Sequence, residues 1–444
     1  MSDSRKSRAK APETMPAGSE QAAAREPLLH DALIVGGGLN GLTLALALAE
    51  HDLEVGLIER ADPDAHLAPG FDGRVSAIAS SSARMLRALG FGDLLDEVGC
   101  PIRAIRVTDG GDNVRMDSRR GAPGLLHFDS AEAEPAEPLG IMLENRTLRA
   151  ALLERLRAHP RVRLYAPASI ESRERGADEA RIRLADGREL AAPVIVACDG
   201  RPSALRKEAG IRTAGWQYDA TAIVTVLAHE KPHRNVASEL FYSAGPFAQL
   251  PMNDLPDGRH RSALVWTVHS KDAEGVKALS PRAFAHEAEK RMGSFLGKLE
   301  VIAPVQSFPL NLQHAERYWA NRLILVGDAA HGIHPIAGQG LNLGLRDVAA
   351  LTEVLSDAAR HGLDLGHPDV ARRYERWRRG DNFTTAFTTD VLVRLFAIPG
   401  RPAERIRSTG LAAVNRLPFL RRAFMAIARG ETGDRPPLLR GELG

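Results

Sequence analysis

The stretch Leu323–Asp347, LILVGDAAHGIHPIAGQGLNLGLRD, decides how this chain is read. An apolar strand ends in Gly327-Asp328, and a glycine-studded turn, Gly338-Gln339-Gly340-Leu341-Asn342, opens a helix. A carboxylate at a strand end accepts hydrogen bonds from sugar or polyol hydroxyls. Helix N-terminal amides and glycines without side chains let a pyrophosphate approach the backbone. The pattern therefore suits a bound polyol phosphate, with Asp328 serving the hydroxyls and the glycine run the phosphates. A plain strand-to-helix connection capped by an aspartate looks the same in isolation, so the rest of the chain has to discriminate.

The N-terminal part supplies the first discriminator. Residues Asp31–Arg60 read as strand, turn, helix and strand: ALIV, then Gly36-Gly37-Gly38-Leu39-Asn40-Gly41, then LTLALALA, then VGLIE. Gly36, Gly38 and Gly41 fit G-x-G-x-x-G, in which the glycines permit a tight turn, close approach to pyrophosphate and close helix–strand packing. Glu59 ends the second strand roughly twenty positions further on, where an acid accepts from ribose hydroxyls. This predicts a dinucleotide, and it leaves FAD and NAD equally open because both carry an adenosine diphosphate half.

Between these motifs, Arg181–Leu184 and Val194–Ala197 are strand-like, with the tight-turn pair Asp186-Gly187 between them. The second run leads into Cys198-Asp199-Gly200-Arg201-Pro202-Ser203 and a helix-prone segment. Taken alone, Asp199-Gly200 is a turn signal.

At 444 residues, 44% of them apolar, the chain is long enough for one large or two interlocked domains. A formal net charge of +2 gives no case for nucleic acid. Two cysteines, Cys100 and Cys198, form neither a disulfide framework nor zinc spacing, which fits a reducing compartment. His331 and His334 stand three apart with no Cys or Glu-x-x-His pattern beside them, so no metal is expected. Residues 1–28 read as a disordered tail, and no apolar run approaches the roughly 20 residues of a membrane span.

Three motifs in this order, Gly36–Gly41 with Glu59, then Asp199-Gly200, then Gly327-Asp328 with its glycine sequel, resemble the single-component flavoprotein aromatic hydroxylases of the p-hydroxybenzoate hydroxylase fold. The resemblance implies that Gly36, Gly38, Gly41 and Glu59 hold the ADP half of FAD. It gives Asp199 and Gly200 to both FAD and NAD(P)H, and Gly327 and Asp328, with Gly338, Gly340, Leu341 and Asn342, to the ribityl chain and pyrophosphate. It places Arg74, in Gly73–Ile78, beside the FAD, and gives the amide of Asn145, in Leu143–Arg149, a cofactor-holding role. On their own, Arg74 reads equally as an exposed loop arginine and Asn145 as a helix N-cap. Pro335 is expected to shape the loop over the flavin and substrate; no catalytic acid, base or nucleophile is assigned.

The wording of Gly327–His331, of His334–Gly344 and Arg346-Asp347, and of Gly245–Pro251 and Ser262–Trp266 is similar to the ubiquinone-biosynthesis hydroxylases. That resemblance implies a mixed α/β fold: a Rossmann-like FAD-binding domain interleaved with a β-sheet substrate domain, plus C-terminal helices. The expected division is FAD-binding parts at 29–110, 141–215 and 311–380, a substrate-domain insertion at 111–140, a substrate sheet at 216–310 and a basic, amphipathic helical segment at 381–444. The aromatic faces of Gly245–Pro251 and Ser262–Trp266 are expected to line the ring-binding cavity. The helix signal from Ser280 (N-cap) and Pro281 through Phe284, Ala288, Met292 and Phe295 is expected to pack in a core.

The implied activity is FAD-dependent monooxygenation of a polyprenylated phenol ring, in which reduced flavin and dioxygen give a C4a-hydroperoxide whose distal oxygen attacks the ring. Electrons are expected from NAD(P)H or a protein donor. Another aromatic-ring hydroxylase of the same fold, or a non-catalytic flavin-binding subunit of a quinone-biosynthetic complex, are the alternatives. A halogenase is disfavoured by the absence of tryptophan between the first two motifs. The arginine-rich, apolar C-terminal segment predicts either a membrane-resting surface or a helical hairpin over the substrate domain, and with it a cytoplasmic protein, peripheral at the inner face of the membrane. Association with a ubiquinone-biosynthesis complex is a further expectation.

Overall fold

The computed structural model describes residues 27–67, 74–109, 125–133, 135–334 and 338–398, and beyond these 400, 407, 409–410, 414 and 416–443. The expected tail at 1–28 falls outside this set except at its end, where Leu28 is already in a strand: Leu28–Leu29 pairs with Glu189–Ala192.

A six-stranded sheet organises the nucleotide-binding half, in the order Trp319–Ala320, Leu323–Leu325, Val194–Ala197, Ala32–Val35, Val55–Ile58 and Val162–Tyr165. All of its pairings are parallel except the edge pair Trp319–Ala320 with Leu323–Leu325. Apart from the edge strand Val162–Tyr165, which carries the exposed Arg163, these strands are short, continuous apolar runs, as a sheet covered on both faces requires. The helix Leu39–Ala49 is buried along almost its whole length, and Gln339–Arg360 packs beside it. The strands that carry the three sequence motifs are thus neighbours.

A nine-stranded sheet forms the other half, centred on Thr213–His229, His260–Val268, Gly245–Met252 and Val236–Tyr242. It extends further along the chain than the sequence division allows. Ala104–Asp109 pairs with Val236–Tyr242 and Leu125–Asp129, so the insertion begins before residue 111. Thr213–His229 and Gln306–Ala315 cross the boundaries at 215/216 and 310/311 because each is one continuous strand. Asp186-Gly187 is a tight turn, but it joins Ala180–Leu184 to Glu189–Ala192; Val194–Ala197 then enters the other sheet.

The helix Pro281–Met292 starts as expected, with Ser280 Oγ accepting from the Ala283 amide and Pro281 in the first turn. It buries Phe284, Ala288 and Met292 against the large sheet. Phe247 and Trp266 pack into the same layer, with Trp266 and Phe284 ring centroids 5.5 Å apart. This corrects the expectation that those rings wall a cavity. Strand alternation points them at the helix, where their area is fully buried.

The C-terminal part comprises the long helix Pro368–Ala397, which runs through the 380/381 boundary, then Pro418–Arg429 and Pro437–Arg440. Phe424 and Met425 lie against the sheet's far end. Several tail arginines are ion-paired inside the molecule: Arg394 with Asp390, Arg407 with Asp109, Arg421 with Glu132 and Arg429 with Glu431.

Candidate functional site

Parallel strands release their following loops at one edge, so the motif loops meet there. The Gly36 amide bonds to Ile58 O (2.9 Å), the Cys198 amide to Val35 O (2.8 Å) and the Val326 amide to Ala197 O (3.0 Å). Contact is tight enough to demand glycine. A Cβ on Gly36, which has φ +111°, would lie 2.3 Å from Cys198 O, and one on Gly41 would lie 1.9 Å from Gly36 O. Gly38 and Gly340 differ, since a Cβ there would meet nothing within 4 Å. They border open space at the starts of the two long helices, which is the cradle a pyrophosphate needs.

Both helices begin without a side-chain cap and without an acid in the first turn. Their first amides and positive dipole ends are therefore available to an anion. Gly338 stands at the N-cap of Gln339–Arg360 in the left-handed region (φ +63°). Leu341 is half-buried against the core. Asn342 is buried, and its amide is committed within the chain: Oδ1 accepts from the Ala79 amide (2.8 Å), and Nδ2 donates to Ala77 O (2.7 Å) and Gly338 O (3.1 Å). It clips the glycine turn to strand Val75–Ala79. Pro335 lies outside the described residues.

The acids divide by role. Glu59 accepts from the Gly37 amide (2.5 Å) and the Ala61 amide (2.7 Å), one per oxygen, which leaves further acceptor capacity on each. Asp199 Oδ2 caps the short helix Ala204–Glu208 through the Ala204 amide (2.8 Å), while Oδ1 is buried without a hydrogen-bond partner. A buried acceptor left unsatisfied costs about 1–3 kcal/mol, so Oδ1 marks a place for a donor from outside the chain. Asp328 is 46% exposed, with Arg201 Nε 3.4 Å away.

Arg74 is exposed, and its carbonyl accepts from the Asn145 amide (3.1 Å). Asn145 is the first residue of the helix Asn145–Ala158 rather than its cap, and its Oδ1 accepts from Ser76 Oγ (2.7 Å).

Four residues not singled out from the sequence also build the site. Arg149, one turn beyond Asn145, donates to Gly37 O (2.7 Å); the i, i+4 spacing was the available signal. Arg201 joins the Asp-Gly loop to Asn311 (2.8 Å) and to Asp328. Asn40 fills the space against Gly327 and Gly344, whose Cβ atoms would fall 2.3 and 2.2 Å from its Nδ2. Asp347, fully buried, accepts from the Gly327 amide (3.1 Å), His331, Arg378 (2.8 Å) and Asn382 (2.9 Å). Burial alone would raise its pKa, but attraction from His331 and Arg378 outweighs this and holds it well below the usual carboxylate range. His331 is thus a partner of Asp347. His334 is buried with neither ring nitrogen bonded, and burial pushes its pKa down to about 4.

Residues 30–378 match the family described as FAD binding domain. The chain is 46% identical to ubiquinone hydroxylase UbiL of Rhodospirillum rubrum, over 93% of this chain and 92% of that protein. It is 34% identical to 3-demethoxyubiquinol 3-hydroxylase of Escherichia coli, over 89% and 97% respectively. Among solved structures, p-nitrophenol 4-monooxygenase PnpA of Pseudomonas putida superposes with a TM-score of 0.74 at 19% identity, covering 92% of this chain and all of that one. PqsL of Pseudomonas aeruginosa gives 0.70 at 22%, covering 86% and 99%.

Proposed function

Because this chain belongs to the FAD binding domain family, we propose that it is an FAD-dependent monooxygenase that hydroxylates the ring of a polyprenylated phenol in ubiquinone biosynthesis. The observation that carries the reading is the meeting of three motif loops and two uncapped helix starts at one sheet edge. That arrangement fits a dinucleotide with a polyol arm. Gly36, Gly38 and Gly41 would admit the pyrophosphate, with Gly340 and Leu341 offering further amides. Glu59 would accept from the ribose, and Asp328 from the ribityl hydroxyls. Arg74 and Asn145 border the strand to which the glycine turn is clipped, and Asp199 offers its free oxygen.

Bound FAD supplies the electron transfer and dioxygen activation that ring hydroxylation needs. The protein binds the cofactor, keeps its loops in register and shields the ring from water. Glu59 and Asp328 bind hydroxyls here and take no proton from substrate.

Electrons come from NAD(P)H or from a protein donor. Anaerobic bleaching of the bound flavin by NADH or NADPH identifies the first, and bleaching only by a reduced protein identifies the second. We place the enzyme at the inner membrane surface, where a polyprenyl substrate resides, and in contact with other quinone-biosynthetic proteins. No described helix is long and apolar enough to cross a membrane.

The test is profiling of quinone intermediates by mass spectrometry in a strain lacking the gene. A prenylated phenol one hydroxyl short should accumulate, and complementation should clear it. An unchanged profile would overturn the ubiquinone assignment. Stoichiometric FAD with no oxygen-dependent product under any electron supply would favour the non-catalytic subunit.

A further inference from the structure

The helix Pro368–Ala397 changes character at Gly380. Its first half, PDVARRYERWRR, is highly charged and packs Tyr374 and Trp377 onto the nucleotide-binding core, with Tyr374 Oη donating to Leu325 O (3.0 Å). Its second half, DNFTTAFTTDVLVRLFA, turns apolar residues to solvent. Phe383 (58% exposed), Phe387 (59%), Val391 (44%) and Leu395 (37%) follow one another every fourth residue. At 1.5 Å per residue they make a row roughly 18 Å long. Exposed apolar rows of this extent mark interaction sites.

What covers the row is indicated by its charge and hydrogen bonding. The only acids in this half are Asp381 and Asp390, and both are consumed internally. Asp381 is paired with Arg378 (2.6 Å) and Arg346 (2.7 Å), while Asp390 is bonded to Tyr218 (2.7 Å) and Arg394 (2.8 Å). Thr384 donates to Gly380 O (2.9 Å) and Thr385 to Asp381 O (3.0 Å), and Thr389 bonds to Thr385 O. With these three hydroxyls satisfied within the helix, the cost of taking the face out of water is reduced. Just before the row, Arg376 and Arg379 are exposed and make no ion pair among the described residues. Two such cations beside an acid-free apolar row complement an anionic lipid surface.

We propose that this outer face, Phe383–Leu395 with Arg376 and Arg379, is where the protein rests on an anionic bilayer. The inference builds on the proposed membrane-borne substrate and moves the contact away from the C-terminal arginines, several of which the fold neutralises. A groove of about 770 Å³ opens beside the row, between Trp216 and Leu312 on the sheet and Phe383 and Phe387 on the helix. A hydrocarbon chain leaving the bilayer would meet that groove first.

The test uses the full-length holoenzyme in co-sedimentation with phosphatidylglycerol–phosphatidylcholine vesicles and with phosphatidylcholine alone. Wild type should pellet with the anionic vesicles. The double variant Phe383→Ser/Phe387→Ser should bind at least about tenfold more weakly, as expected when buried aromatic area is lost. Val391→Asp should do the same, and Arg376→Gln/Arg379→Gln should abolish the preference for anionic lipid. FAD content and melting temperature should stay at wild-type values, since these side chains face solvent. Unchanged vesicle binding by the variants, or no binding by wild type, would overturn the proposal. So would light scattering showing a wild-type dimer that Phe383→Ser/Phe387→Ser dissolves, because a second copy would then own the face. None of these readouts requires turnover, so their failure leaves the quinone-intermediate profile as an independent test of the reaction.

Discussion

At the scale of single residues, the three carboxylates offered to the cofactor differ in what they already hold: Glu59 accepts from two backbone amides and Asp199 from the Ala204 amide. Asp328 is nearly half exposed, with a single cation at 3.4 Å, so its acceptor capacity is uncommitted. Asp328→Ala should therefore weaken FAD binding by about 1.5–3 kcal/mol, the range for a charge-assisted hydrogen bond, without unfolding the protein. Flavin fluorescence titration of the apoprotein measures this, and an unchanged dissociation constant would remove Asp328 from the site. Gly41 makes the opposite kind of demand. A Cβ placed 1.9 Å from Gly36 O has backbone to displace, so Gly41→Ala should lose bound FAD and lower the melting temperature together. Gly38→Ala, whose Cβ meets no protein atom, should keep the fold and lose affinity alone. Equal melting temperatures for Gly41→Ala and wild type would contradict this placement.

At the scale of elements, Gln339–Arg360 is held to the site by Asp347, which ties the Gly327 amide to Arg378 on the following helix. Asp347→Asn keeps the shape but leaves His331 without its anion and Arg378 with Asp381 alone. Losing one partner of a buried pair costs about 3–5 kcal/mol, read as a drop in denaturation midpoint at pH 7. Conservative loss at Asn342 should be milder and local, freeing the glycine turn from Val75–Ala79. These elements also show what the sequence made legible. Strand–glycine–helix runs such as Ala32–Gly41 and Leu323–Asn342 are local patterns, so their types could be read in advance, whereas their adjacency rests on pairing with Val194–Ala197, distant in the chain. Two things were hidden because they depend on partners distant in the chain. Asn342 is spoken for by Ala77 and Ala79, and Phe247 and Trp266 face a helix that period-2 alternation cannot identify. Arg149 lay in plain view one helical turn from Asn145, but its partner, the Gly37 carbonyl, is distant in the chain.

At the scale of the whole molecule, burial has left neutral histidines in separate layers: His229 in the large sheet, His314 at the groove under helix Pro368–Ala397, and His334 beyond the Gly-Asp turn. In each, desolvation is the largest cause of a pKa pushed down to about 4. In the unfolded chain they titrate near 6.5. Between these values the unfolded state binds more protons than the folded one, so stability rises with pH through that window and is fully present above about 6.5. Each histidine contributes at most about 1.4 kcal/mol per pH unit, and the three together about 4. Below about pH 4 the depressed carboxyl of Asp347 continues the loss in the same direction. Urea denaturation midpoints should therefore climb from pH 5 to 7 and level off beyond. His334→Phe, which removes one titrating group and leaves its edge-to-face contact with Tyr218 to a ring of similar size, should reduce the slope by less than a third, because burial also holds His30 and His233 below their usual range. A flat profile from pH 5 to 7 would mean that these rings are not held neutral by the fold.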